Sequence, residues 1–250
     1  MASPELLRER SILIAFTTRQ GGVSPAPYNT LNLAAHVGDD IANIQTNRQR
    51  LAAALDLDAE RLTTAQQTHS RNVAIVDERN AGAGAADYES AIPDTDALVT
   101  GLKRTPIAVF TADCVPVILV DPETRRTAVV HAGYKGLYSN IVTAAIEALR
   151  ADSGGRVGDI IAFVGPAIGV CCYDVDPERA ALFAAARTER RNGKIYLDTP
   201  GIAADEIQAA GIPAENISVS GLCTACREDL FFSYRRAKVC GRQATIAAIL

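Results

Sequence analysis

Residues 111–133 read "TADCVPVILVDPETRRTAVVHAG". Two apolar, strand-like runs, Val115 to Val120 and Thr127 to Val130, follow one another here with no helical segment between them. A cysteine, Cys114, stands at the entrance of the first, and a histidine, His131, at the exit of the second. The cysteine alone means little, because a free thiol behaves as a small hydrophobe and is often buried. Paired with the histidine, it marks a candidate site at strand ends, where a rigid scaffold commonly carries functional side chains.

Working outward, further strands are expected at "SILIAFTTR", "LTTAQQTH", "NVAIVD", "DALVT", "PIAVFT", "IIAFVG", "NISVS" and "ATIAAIL". Helices are expected at "DDIANIQTNRQRLAAALDLD", "SNIVTAAIEALR", "PERAALFAAAR" and "TPGIAADEIQAAG". Consecutive strands without helical crossovers, no regular βαβ period and no internal repeat predict one domain over residues 1–250. Its fold class is α+β (or α/β), a mixed β-sheet sandwich flanked by helices and not a Rossmann fold. The segment "GAGAADY" has Asp87 where the dinucleotide fingerprint needs its third glycine, and no helix-forming run follows, so it reads as a surface loop.

A chain of 250 residues with 48% hydrophobic content can bury a substantial core. The net charge of -4, without any run of five like charges, argues against a nucleic-acid partner or an anionic membrane surface. No segment approaches 18 consecutive apolar residues, and the charges inside "MASPELLRERSILIAF" suit neither a signal peptide nor a membrane span, so a cytoplasmic location is expected. In that compartment the six cysteines, 114, 171, 172, 223, 226 and 240, would be held reduced, which favours metal or chemistry over a disulfide framework.

Histidines are scarce: only His36, His69 and His131 are present. His69 closes "AQQTHS", 45 residues before Cys114, and His131 follows Cys114 by 17. These spacings match no zinc finger, but ligands from three separate strand ends suit a catalytic zinc with its fourth position open. The plainer alternative is a core cysteine with two hydrogen-bonded histidines.

In order along the chain, "FTTRQGGVSPAPYNTLNLAAHVGDD", "NRQRL", "QTHS", "TADCVPVILVD", "HAGYKG", "GPAIGVCCYDV" and "FFSYRRAKVCGR" closely resemble the laccase-domain family of purine nucleoside phosphorylases. That family is also called the polyphenol oxidase or peptidoglycan editing factor family. The resemblance implies a zinc held by His69, Cys114 and His131. It also implies phosphorolysis of adenosine, inosine and methylthioadenosine together with adenosine deamination. Tyr134 and Lys135 stand where the family usually shows Trp-Arg, which bears on the rim of the pocket and on substrate preference.

A metal of this kind can lower the pKa of water to about 7, which suits attack on C6 of adenine. Phosphorolysis needs cationic groups for phosphate and for the departing purine. Arg19, Arg48 and Lys135 are the candidates, with Asn47 beside Arg48 in "NRQRL" as a further substrate-binding residue. On an ideal helix Arg48 falls in the middle of the inward stripe formed by Ile41, Ile44, Leu51, Ala52 and Leu55. A buried guanidinium there must meet a carboxylate, for which Asp113 is the candidate, or face an anion; the second is favoured because arginine binds phosphate bidentately. Asp113, next to Cys114, is counted with the catalytic group.

Rival functions remain. A copper oxidase would want an axial methionine and more histidines than the one left over. A cysteine or zinc amidase acting in peptidoglycan precursor editing would use Cys114 as nucleophile and His131 as base. A binding domain with structural zinc would want four protein ligands. "CTAC", with Cys223 and Cys226, lacks a neighbouring second pair and reads as packing and loop. Adjacent Cys171 and Cys172 would point to opposite faces of a strand and are read as structural. His36 reads as a hydrogen-bonded loop residue. The partners expected are purine nucleosides and phosphate, in a monomer or weak homo-oligomer.

Overall fold

The structure, a computed structural model, describes residues 9–250. Residues 1–8, and with them Met1 and half of the charged N-terminal stretch, lie outside the described residues. Along the chain come β1 (Ile12–Phe16), α1 (Ile41–Ala54), β2 (Val73–Val76), β3 (Ala97–Thr100), β4 (Ile107–Thr111), β5 (Val115–Asp121) and β6 (Arg126–Ala132). Then follow α2 (Tyr134–Tyr138), α3 (Ile141–Ser153), β7 (Ile161–Val164), β8 (Asp174–Val175) and α4 (Pro177–Ala180). β9 (Thr188–Arg191), β10 (Lys194–Leu197), α5 (Thr199–Ala209), β11 (Ile217–Val219) and β12 (Gln243–Ile249) complete it.

The two runs of the opening stretch are β5 and β6, paired antiparallel from Val115↔Ala132 to Asp121↔Arg126 at the centre of a six-stranded sheet ordered β11-β7-β5-β6-β3-β2. The outer pairs β11/β7 and β2/β3 are parallel and the inner pairs antiparallel, so the sheet is mixed. An antiparallel sheet β1-β12-β4 packs on one face of it. Strand alternation assigns the faces. Val115, Val117 and Leu119 of β5 meet Ile141, Val142 and Ile146 of α3 and Ile207 of α5. Ile118 and Val120 meet Ile107 and Val109 of β4 and Ile249 of β12. Being covered on both faces, β5 is buried along its whole length, which is why its sequence is continuously apolar rather than alternating. The far face of the smaller sheet, through Phe110 and Ile246, packs on Leu51 of α1 and on Leu55, which caps its end. The layers therefore run helix, sheet, sheet, helix: an α+β sandwich, as expected.

Two expected elements differ. "LTTAQQTH" forms only isolated bridges, Thr63 with Ile107 and Ala65 with Ile92. Its glutamines supply other contacts: the Gln67 amide accepts from Phe110 N–H and donates to Phe110 C=O, both at 2.8 Å. "PERAALFAAAR" is helical only in α4, and the chain then turns back as the hairpin β9/β10, part of a third sheet β8-β10-β9. Asn192 and Gly193 both take positive φ at the hairpin turn, the backbone that Asn-Gly favours, and this short-range signal outweighs the helical composition before it. Helix α1 starts where expected, with the Asp40 carboxylate capping Ala42 N–H. Its inward face is rotated from the expected stripe. Ile44, Asn47, Arg48 and Ala52 are buried, whereas Ile41 is 42% exposed.

Candidate metal centre

The site forms where β3, β5 and β6 end side by side. His131, on the face of β6 opposite Val130, donates its backbone N–H to the Asp96 carbonyl at 2.8 Å. Its ring Nδ1 lies 2.7 Å from Asp96 Oδ1, which leaves Nε2 free to ligate. The same carboxylate builds the loop carrying His69. It accepts from the backbone N–H groups of Thr68, His69 and Ser70 and from the Ser70 hydroxyl, the last at 2.8 Å. His69 itself takes a left-handed backbone, φ 62°. Cys114 enters β5 directly after Asp113, whose φ of 97° turns the chain sharply. Cys114 Sγ lies 3.8 Å from His69 Nε2, and the rings of His69 and His131 meet edge to face with centroids 4.8 Å apart.

One ligand atom from each of His69, Cys114 and His131 lies within 4.8 Å of the others. Gly133 confirms how closely they are gathered, since a Cβ there would come within 2.5 Å of His69 Cδ2 and 3.2 Å of Cys114 Sγ. Two imidazole nitrogens and one thiolate fit zinc. Charge is shared closely among these groups. Burial opposes charge on Asp96, yet hydrogen bonds from His131 and Ser70 outweigh it and hold the carboxyl well below its usual range. Burial also pushes the Cys114 thiol up, but the neighbouring His131 outweighs this and lowers it to about 6. His131 is raised to about 9, because Cys114 and Asp96 favour its cation more than burial disfavours it.

A cavity of about 330 Å³ opens over the three residues, walled by Phe110, Tyr173 and Tyr234 and bordered by Arg235, Lys238 and Arg242. His36 and Asp113 line it as well. The residues anticipated for substrate do not. Arg48 is buried, but its guanidinium donates to the backbone carbonyls of Leu33, Gly84 and Ala85 and lies over the Phe110 ring. It therefore meets neither Asp113 nor the cavity, because neutral carbonyls of two loops satisfy its donors. Burial depresses it to about 10. Asn47 holds the loop before α1, accepting from Val23 N–H and donating to Ser24 Oγ and to the carbonyls of Thr30 and Asn32. Arg19 donates to the carbonyls of Asn29 and Glu228 and covers Phe232. Lys135 is exposed on α2, away from the cavity wall. Asp113 is a junction, accepting from Thr224 Oγ1 at 2.7 Å and from Arg235 N–H at 2.6 Å.

Sequence reasoning missed Asp96, although a histidine ligand's need for an oriented second nitrogen is itself the signal to look for a carboxylate at a neighbouring strand end. It also missed Lys238 and Arg242, which have no carboxylate partner among the described residues. Both follow "FFSYRR", within one of the quoted motifs. Finally, Cys171 and Cys172 lie in a turn, not a strand, so the alternation rule does not separate them; they come together with Cys223 and Cys226.

A family model described as multi-copper polyphenol oxidoreductase laccase matches residues 13–250. The purine nucleoside phosphorylase ORF3 of Streptomyces griseus is 41% identical over 234 residues, covering 92% of this chain and 91% of that protein. A protein named adenosine deaminase RL5, from an unknown prokaryotic organism, is 37% identical over 231 residues, covering 89% and 88%. The crystal structure of YlmD from Geobacillus stearothermophilus superposes with a TM-score of 0.93 at 32% identity, covering 99% of this chain and 94% of that one.

Proposed function

The chain belongs to the multi-copper polyphenol oxidoreductase laccase family, and from that premise we propose that it is a zinc-dependent purine nucleoside phosphorylase that also deaminates adenosine. The observation that carries this reading is the cavity above His69, Cys114 and His131, which combines aromatic walls with two cations, Lys238 and Arg242, that meet no carboxylate among the described residues. Relatives named for both activities support it.

Each side chain then has a task. His69 and His131 would hold zinc through ring nitrogens and Cys114 through its sulfur, with Asp96 keeping the proton on Nδ1 of His131. When bound, zinc supplies a Lewis acid in a site with room for a further ligand. Phe110, Tyr173 and Tyr234 offer faces to a purine ring. Lys238 and Arg242 attract phosphate and offset its charge as an oxygen attacks C1′ and the C1′–N9 bond breaks. The copper chemistry in the family description is disfavoured by the donor set. After His69 and His131, His36 alone remains, and Met1 is the only methionine.

The pairing of a lowered Cys114 thiol with His131 also fits a thiol amidase acting on peptidoglycan precursors. One assay separates the readings. Purified protein is incubated with adenosine, inosine or methylthioadenosine, with and without phosphate and after chelation. Phosphate-dependent release of base, and ammonia from adenosine, should both vanish on chelation and return with zinc. Turnover that survives chelation, or base release indifferent to phosphate, overturns the proposal.

A further inference from the structure

We propose that Cys171, Cys172, Cys223 and Cys226 form a second metal site, a closed tetrathiolate zinc centre that staples together the two segments holding the Asp113–Cys114 turn. It is independent of the reaction proposed above.

The four sulfurs all lie within 4.8 Å of one another. Cys226 Sγ is 3.6 Å from Cys171 Sγ and 3.4 Å from Cys172 Sγ. Four sulfurs about 2.3 Å from one tetrahedral zinc stand about 3.8 Å apart, so the cluster already has nearly the right size. A disulfide would need about 2.05 Å. The donor set is purely thiolate, which suits zinc and disfavours the hard, oxygen-seeking magnesium and calcium ions. Four protein ligands leave no open position, which is the property of a structural site.

Backbone geometry builds the cluster from two segments far apart in sequence. After β7, a turn in which Cys172 and Tyr173 N–H both bond to Gly169 C=O brings Cys171 and Cys172 to one side. The second segment runs beside the first: Ala167 N–H donates to Leu222 C=O, and Thr224 N–H to Ala167 C=O. Cys223–Cys226 then closes as a turn, with Arg227 N–H on Cys223 C=O at 3.0 Å, and Gly169 N–H donates to Cys223 Sγ at 3.3 Å, as suits a thiolate acceptor. Cys171 and Cys226 are exposed, so a metal has a path in.

Both segments grip Asp113. Ile168 N–H donates to Asp113 C=O at 2.9 Å, and Thr224 Oγ1 to its carboxylate at 2.7 Å. A metal joining the segments would fix the residue before Cys114 and the start of the cavity wall at Tyr173. Binding is balanced as one zinc ion exchanging for four thiol protons, which leaves a tetrathiolate of net charge -2.

The test is metal stoichiometry in the full chain, purified under reducing, anaerobic conditions after growth with zinc, with zinc measured by mass spectrometry. Wild type should carry two zinc ions per chain. C226S and C171S should each carry one, C114S one, and C114S/C226S none. Because a cysteine variant could fail to fold, C114S is also loaded with cobalt. An intense thiolate-to-cobalt charge-transfer band with tetrahedral d–d bands is expected, showing the second site in a chain whose four cysteines are intact. One zinc per wild-type chain, retained in C226S, overturns the proposal. So does a Cys171–Cys226 or Cys172–Cys226 disulfide in peptide maps of the anaerobic protein, or cobalt-loaded C114S without the charge-transfer band.

Discussion

Asp96 shows how much one side chain can organise. It is fully buried, receives donors from Thr68, His69 and Ser70, and orients His131. Replacing it by Asn retains the volume but turns an amide N–H₂ toward some of those donors and frees the His131 tautomer. We expect D96N to lower zinc affinity at the His69/Cys114/His131 site by roughly 10–100-fold, read by competition with a chromophoric chelator. Unchanged affinity would mean that Asp96 only builds the loop. Arg48 gives the opposite lesson. Its donors are spent on the carbonyls of Leu33, Gly84 and Ala85, so R48M should cost about 3 kcal/mol by stranding buried acceptors. Urea unfolding measures this. The phosphate dependence of nucleoside cleavage should stay as in wild type, and a selective rise in the phosphate requirement would restore Arg48 to the anion site.

Among the elements, α3 has an unusual start. Asn140 takes a left-handed backbone and makes no side-chain cap, and Glu206 from α5 instead accepts Thr143 N–H at 2.7 Å. The other carboxylate oxygen of Glu206 is buried without a partner among the described residues, and burial raises the group above its ordinary value of 4.5. An acid raised on folding holds its proton longer in the folded chain. Its contribution is therefore fully present below the unfolded pKa and is lost as pH rises through the folded one. A glutamine in place of Glu206 would keep the acceptor and lose the titration. We predict that E206Q removes a decline in stability that wild type shows above about pH 4.5, and denaturation midpoints from pH 4 to 8 would reveal it. Parallel profiles for the two proteins would exclude Glu206 as the source. Elements that rest on such local patterns were legible in sequence. The apolar strand pair β5/β6 and the Asp40 cap of α1 follow from residue order alone. The hairpin β9/β10 was not expected, although Asn192–Gly193 signals its turn: the alanine-rich run before it reads as helix, yet only its first turn stays helical and the chain goes on into β9, held by pairing with β10.

For the whole molecule, stability concentrates in the layer shared by both sheets and the helices. Leu119 lies in β5 with no exposed surface, packed toward α3 and α5. L119A should cost about 3 kcal/mol through lost burial and a residual cavity, seen as a lower urea midpoint. Since the metal ligands stand at the other end of the strand, the folded fraction should bind zinc with unchanged stoichiometry. A loss of zinc in fully folded L119A would mean that core packing and site geometry are coupled along the strand.

From the sequence alone came the sandwich class, the central strand pair, and His69, Cys114 and His131 as one candidate group, because periodicity, turn residues and donor type are written in short stretches. Tertiary structure alone decided which cations face the cavity, what Arg48 and Asn47 bind, that Asp96 orients His131, and that four cysteines converge. Those outcomes depend on which loops the topology brings together: Asp96 and His131 are 35 residues apart, Cys171 and Cys226 are 55. No local pattern encodes such a meeting. It follows from the order of strands in the sheets, and that order is set by burying every apolar face at once.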